Sequence, residues 1–173
     1  MNSNSISGLR IVPATESDVG VILSFIRKLA EYEKLLHQVE ATEELLLETL
    51  FGQRRVAEVL IACLEEEPAG FALFFHNFST FLGRPGIYLE DLFVEPVHRG
   101  KGIGKALLVE IAKIAKMRNC GRFEWAVLDW NSPAIEFYRR LGAMPLEDWT
   151  IFRVSGAALD NLAAQKAAQG GSR

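Results

Sequence analysis

Two short stretches carry residue types that can do chemistry. In Leu89-Glu90-Asp91-Leu92 a pair of carboxylates sits inside an apolar run, and shortly after it Arg99-Gly100-Lys101-Gly102-Ile103-Gly104-Lys105 alternates glycines with basic residues. Adjacent carboxylates in an apolar strand are costly if buried without partners, so the pair needs a chemical reason. The glycines allow successive backbone N–H groups to converge on one point, and a helix beginning there adds its positive end. Such a loop holds a pyrophosphate without a metal; the same spacing also suits an ordinary tight turn. It is not a nucleotide P-loop, because Gly104-Lys105 is followed by Ala106 where a magnesium-binding hydroxyl is required. Nor is it a dinucleotide fingerprint, since Gly100, Gly102 and Gly104 are spaced G-x-G-x-G and arrive after several strands.

The elements that must position these residues follow from periodicity. Ile87–Val94 reads as a strand whose alternation puts Tyr88, Glu90, Leu92 and Val94 on one face, and Ile87, Leu89, Asp91 and Phe93 on the other. A bulge would be needed to bring both carboxylates into one cleft. Behind the glycine loop, Ile103, Leu107, Ile111 and Ile114 mark one face of a helix. Upstream, Leu9–Ala14 is a strand feeding a helix capped by Thr15, with Asp18 three residues on and apolar residues recurring to about Tyr32. A helix over Thr42–Leu50 precedes a hairpin of Val56–Leu64 and Ala69–Phe78, turned at Glu65–Pro68. Arg122–Leu128 gives a further strand, Ser132-Pro133 starts a helix that Gly142 ends, and Trp149–Val154 and Gly156–Ala168 read as a last strand and helix. The expected fold is one α/β domain over residues 9–168, a mixed sheet of about six to seven strands flanked by helices, with frayed ends at 1–8 and 169–173.

Composition narrows the partners. The chain has 173 residues, 49% of them apolar, and a net charge of −3, which suits a single domain with no basic field for nucleic acid or an anionic membrane. No apolar run reaches a membrane span, and the polar start lacks the apolar core of a leader, so a cytoplasmic protein is expected. Cys63 and Cys120 read as buried thiols, no Cys/His cluster has metal spacing, and His37, His76 and His98 read as surface or loop residues.

The glycine loop resembles the acetyl-CoA pyrophosphate loop of the GCN5-related N-acetyltransferases, Arg99 and Gly102 and Gly104 falling on that motif's fixed positions. VPATESD, YLEDLFVEP and WNSPAIEFYRRLGA match the same family in order, so the likeness runs from about Leu9 to Val154, most closely to the spermidine/spermine (diamine) members. The resemblance implies acetyl-CoA as cosubstrate, no metal, a homodimer, and direct attack by the amine in a ternary complex. It places the pantetheine along the backbone of Leu92, Phe93 and Val94. It places the phosphates at Arg99, Gly100, Lys101, Gly102, Ile103, Gly104 and Lys105, and further cofactor contacts at Asn131, Ser132, Pro133, Ala134 and Tyr138. Glu90 is the implied base and Tyr138 the acid that protonates the departing thiolate.

Such chemistry has a physical logic. An alkylamine with a pKa near 10 is neutral in only about one molecule in a thousand or fewer at neutral pH, so a carboxylate must take its proton. By the same resemblance Tyr32, Glu33, Glu90, Asp91, Glu124, Trp125, Glu147 and Asp148 line the route of a cationic acceptor. The segment His76–Gly86 departs from the polyamine enzymes: Ser79 and Phe81 stand where an acid and a tryptophan are expected, and Arg84 is added. Short diamines, thialysine-like amino acids, and amino-acid or peptide amines all stay open as acceptors. A noncatalytic acyl-CoA sensor would keep the loop but need neither Glu90 nor Tyr138.

Overall fold

The computed structural model describes residues 6–165, and the chain divides into two compact units between Ala126 and Val127. The first unit runs β1 (Leu9–Pro13), α1 (Val19–Tyr32), α2 (Glu43–Leu46), β2 (Glu58–Leu64), β3 (Glu67–Ser79), β4 (Arg84–Val94), α3 (Ile103–Met117) and β5 (Phe123–Trp125). Its strands form one mixed sheet in the order β1-β2-β3-β4-β5, with β4 and β5 parallel and the other neighbours antiparallel.

Local chemistry explains the element ends. At the start of the first helical turn, Asp18 Oδ2 accepts from both the Thr15 backbone N–H at 2.7 Å and the Thr15 hydroxyl at 2.8 Å. The Thr42 hydroxyl caps α2 by accepting from Leu45 N–H. That helix then widens into a π-turn over Leu47–Phe51 instead of staying α-helical to Leu50. Glu65 and Glu66, at φ 51° and 72°, make the tight turn of the β2–β3 hairpin.

The sheet is covered on both faces. On one side Val19, Ile22, Leu23 and Phe25 of α1, with Leu46 and Leu50, pack on Val59, Ile61, Phe71 and Phe93. Phe25 stacks on Phe71 with ring centroids 5.5 Å apart and tilts on Phe93 at 5.7 Å, each such ring contributing roughly 1.5–3 kcal/mol by burial. On the other side α3 buries Ile103, Leu107, Leu108, Ile111 and Ala115 against the sheet.

One irregularity matters for the site. Leu73 lies opposite Asp91 and Phe74 opposite Leu89, so Glu90 is an extra residue in β4 without a partner. The alternation expected for this strand therefore breaks at Glu90. Asp91 continues the row Val59–Leu73 on the α1 side, joining Tyr88 and Phe93, while Ile87, Leu89, Leu92 and Val94 face α3.

The second unit holds α4 (Ser132–Arg140) and α5 (Gly156–Ala163). Asn131 Oδ1 accepts from Ala134 N–H, Pro133 occupies the first turn, and Gly142 follows the helix at φ 88°.

Several expectations are corrected. The sheet has five strands among the described residues, not six to seven, because Trp149–Val154 takes no regular secondary structure and enters no ladder. The strand expected over Arg122–Leu128 shortens to three residues. Residues 6–8 are held, not frayed: Leu9 N–H donates to Ile6 O, and Gly8 O accepts from Glu65 N–H. The frayed ends expected at 1–5 and 169–173 and the last residues of the final helix lie outside the described residues. Cys63 and Cys120 are free thiols, half-buried instead of buried, and burial pushes the Cys63 thiol up. No helix among the described residues is long and apolar enough to cross a membrane.

Candidate active site

In the first unit the C-terminal half of β4, the glycine turn and the last turn of α1 converge. Gly100 and Gly102 both adopt left-handed backbone, at φ 76° and 89°. A Cβ at Gly100 would meet nothing within 4 Å, so the turn presents bare backbone to open space. Gly102 caps α3 without a side-chain acceptor, and no acidic residue stands in the helix's first turn. The first N–H groups of a 15-residue helix and its positive end are thus offered to an anion. Arg99 does not extend into this space. Its Nε donates to Val94 O at 3.1 Å and its guanidinium lies over the rings of Tyr32 and Phe93, at 4.9 and 5.7 Å. Lys101 and Lys105 are exposed, with Lys101 Nζ 3.2 Å from His98 Nδ1.

The β4–β5 ladder ends at Leu89 opposite Trp125. Beyond it, the side of β4 that faced β5 has no partner from that strand along Leu92, Phe93 and Val94. A strand edge that β5 leaves unpaired, running into a turn of exposed backbone, fits a chain of amides that ends in a pyrophosphate, the shape of acetyl-CoA.

The carboxylates divide sharply. Glu90 is exposed at the bulge. Asp91 faces α1, where burial, then the Glu90 carboxylate, then the Glu33 carboxylate push it up to about 7. Glu33, the residue that closes α1, is itself raised by burial. Glu124, expected along the acceptor route, is already engaged: Oε2 pairs with Arg122 Nε at 2.8 Å and accepts from Asn77 Nδ2 at 2.8 Å. Trp125 packs edge-on against Phe123 at 5.0 Å. The sequence held a hint of the Arg122–Glu124 pair, because residues two apart on a strand share a face; the Asn77 contact, from a distant strand, left none.

The remaining candidates belong to the second unit. Asn131, Ser132, Pro133 and Ala134 form the start of α4, with Asn131 buried as the cap. Tyr138 is half-buried one ring from Phe137, at 5.3 Å. Glu147 and Asp148 are exposed.

Comparison with known proteins gives these pieces a common setting. The model of the Acetyltransferase (GNAT) family matches residues 25–143. A thialysine N-epsilon-acetyltransferase of Mus musculus is 42% identical over 90% of this chain and 98% of that protein. An L-ornithine N5-acetyltransferase of Arabidopsis thaliana is 34% identical over 87% of this chain and 86% of its own length. Among solved structures, an integron cassette protein of V. cholerae superposes with a TM-score of 0.78 at 26% identity, over 91% of this chain and 99% of that one.

Proposed function

This chain belongs to the acetyltransferase (GNAT) family and is an acetyl-CoA-dependent N-acetyltransferase; from that premise we propose that its acceptor is the side-chain amine of a small cationic amino acid of the thialysine or ornithine type. The observation that carries the reading is the bulge at Glu90, which gathers Glu90, Asp91 and Glu33 beside the cofactor turn. Three carboxylates around one point favour a cation, and a single ammonium brought there loses little by leaving water. A long polycation needs more acids further along. The hairpin tip instead carries a fully exposed Phe81 and an exposed Arg84, which favours short acceptors. Relatives of two separate names act on amino acids with a terminal side-chain amine, which supports the same class.

In the proposed reaction acetyl-CoA lies along the Leu92–Val94 backbone with its pyrophosphate on the Gly100–Gly104 turn, aided by Lys101 and Lys105. When bound it supplies a thioester carbon open to attack. The carboxylate group takes one proton from the ammonium, the amine nitrogen bonds the thioester carbon as the C–S bond breaks, and Tyr138 returns a proton to the departing sulfur. Asn131 holds the start of α4, so that Ser132, Pro133 and Ala134 present its first N–H groups to the cofactor.

The enzyme acts as a cytoplasmic homodimer in this reading. Free Cys63 and Cys120 suit a reducing compartment, and Met144, Trp149, Ile151 and Phe152, each more than 70% exposed, are the kind of apolar surface that a second copy covers. Light scattering on the purified chain is expected to give a dimer, and Phe152→Asp a monomer.

Thiol release from acetyl-CoA over thialysine, ornithine, lysine, putrescine, spermidine and amino-terminal peptides tests the acceptor. Turnover is expected to be fastest with the first two; preference for spermidine or for peptides refutes the class. Tyr138→Phe is expected to lose about 10²–10⁴-fold in kcat with acetyl-CoA affinity intact. An unchanged kcat refutes its role as acid.

A further inference from the structure

We infer that Tyr32 serves the cofactor and not the acceptor: its ring backs the Arg99 guanidinium, which caps Val94 O where the unpaired edge of β4 gives way to the glycine turn. The inference rests on the acetyl-transfer reading above and takes Tyr32 off the acceptor's route. The backbone of β4 supplies the first reason. Within a strand the N–H and C=O of one residue point to the same side, and successive residues alternate. Glu95 N–H donates to Ala69 O, next to Gly70 of β3, so Val94, one residue earlier, turns its N–H and C=O away from β3. They open onto the side that β5 leaves unpaired beyond Leu89.

That carbonyl is an acceptor that any extended chain lying alongside would use, and Arg99 takes it, Nε donating at 3.1 Å. The open edge therefore ends at Val94, and the exposed backbone of Gly100 and Gly102 begins just past it. Stacking holds the arginine at this junction. Its guanidinium carbon lies 4.9 Å from the centre of the Tyr32 ring and 5.7 Å from that of Phe93. Tyr32 does not reach it alone. Lys28 lies one turn before Tyr32 and Phe25 two turns before, so the three share one face of α1. Phe25 tilts on Phe93, Lys28 pairs with Glu95, and Tyr32 backs Arg99. One face of the helix thus follows the chain, contact by contact, from the end of β4 into the cofactor turn.

A molecule built as an amide arm followed by a pyrophosphate needs two kinds of surface in succession: a strand edge, then converging N–H groups with positive charge. A guanidinium held flat between the two closes the first surface and lends charge to the second. Without the ring, Arg99 gains rotamers, and the cap on Val94 O is made only part of the time. Tyr32 is in this role a positioning residue that acts through Arg99, with no part in the chemistry.

The test is calorimetric titration of acetyl-CoA, with acceptor KM measured at saturating acetyl-CoA for whichever amine of the panel turns over fastest. The proteins compared are the wild type, Tyr32→Phe, Tyr32→Leu, Arg99→Ala and the double variant of the last two. Tyr32→Leu keeps an apolar side chain and loses the ring face, so its Kd for acetyl-CoA is expected to rise by roughly 3–30-fold. Its acceptor KM is expected to stay unchanged, which also shows the variant to be folded. Tyr32→Phe keeps the ring and is expected to bind as the wild type does. In the Arg99→Ala background the Tyr32→Leu loss is expected to vanish, because the ring then has nothing to hold. The inference is overturned by an unchanged Kd in Tyr32→Leu, by a rise confined to acceptor KM, by a Phe variant as weak as the Leu variant, or by a loss that survives in the Arg99→Ala background. Wild-type protein that binds no acetyl-CoA would sink the acetyl-transfer reading and this inference together, a result distinct from all of these.

Discussion

Glu58 and Asp91 occupy neighbouring rows of the same sheet on opposite faces, and they have opposite fates. Glu58 faces α3 and meets Arg118, whose two terminal nitrogens reach its two oxygens, the Nη2–Oε2 contact measuring 2.7 Å. The guanidinium holds the Glu58 carboxyl below the usual carboxylate range and is itself raised in return. Asp91 faces α1, where burial first, and then the Glu90 and Glu33 carboxylates, drive it the other way. Burial opposes ionisation in both, and only a cation opposite, as at Glu58, reverses it. A paired carboxylate is a strut; one left among its own kind is a receptor for whatever cation arrives.

The contrast can be attacked from either side. The largest effect is expected from Asp91→Asn in the absence of substrate. Asp91 in the native protein takes up its proton at higher pH than in the unfolded chain, so its contribution to stability falls as the pH rises from about 4 to about 7. Removing the charge is expected to stabilise the protein by roughly 2–4 kcal/mol at about pH 8 and by nothing at about pH 4. Denaturant melts at the two values decide it, and a loss of stability at the higher pH would contradict the environment assigned here.

Next, Glu33→Arg supplies the partner that Asp91 lacks. The titration of the Asp91 carboxyl, followed by NMR, is expected to move down by about 1–3 pH units while the acceptor KM rises; a titration that stays in place means that Glu33 does not act on Asp91. Smaller again is Glu58→Gln. Both members of that ion pair are a third to a half exposed, so the loss is expected near 1 kcal/mol. The folded-state value of Glu58 is depressed, so this contribution is complete above the ordinary carboxylate range and is lost as the pH falls through that range to the lowered folded value, the reverse of Asp91. Comparable in stability is Gly102→Ala, which strains a left-handed position by about 1 kcal/mol. Its sharper readout is weakened acetyl-CoA binding, followed by calorimetry, whereas Glu58→Gln is expected to leave that affinity unchanged.

Much of this arrangement could be read from residue types. Thr15 with Asp18 announces a helix start, Asn131-Ser132-Pro133 announces another, and the glycines of the turn announce a backbone surface, because each of these effects is local. The hairpin and the central place of β2 and β3 follow from apolar runs. What escaped is non-local or a matter of count. Glu58 and Arg118 lie far apart in sequence, and nothing near either names the other. Tyr-Leu-Glu-Asp-Leu-Phe-Val alternates cleanly on paper, so the extra residue is visible only once β3 lies alongside and Leu73 finds Asp91 where a regular ladder would offer Glu90. Trp149–Val154 shows the converse error: a strand-like pattern is a capacity to pair, and this segment enters no ladder among the described residues.

The bulge makes the register of β4, and not its length alone, the quantity that places Asp91. Deleting the single codon for Glu90 would leave Asp91 opposite Leu73 in a regular ladder, still on the α1 side. A slip that paired Glu90 with Leu73 would instead turn Asp91 to the α3 side. The native register thus keeps two adjacent carboxylates in one strand at the cost of one missing pair, a choice that selection on ladder regularity alone would not make.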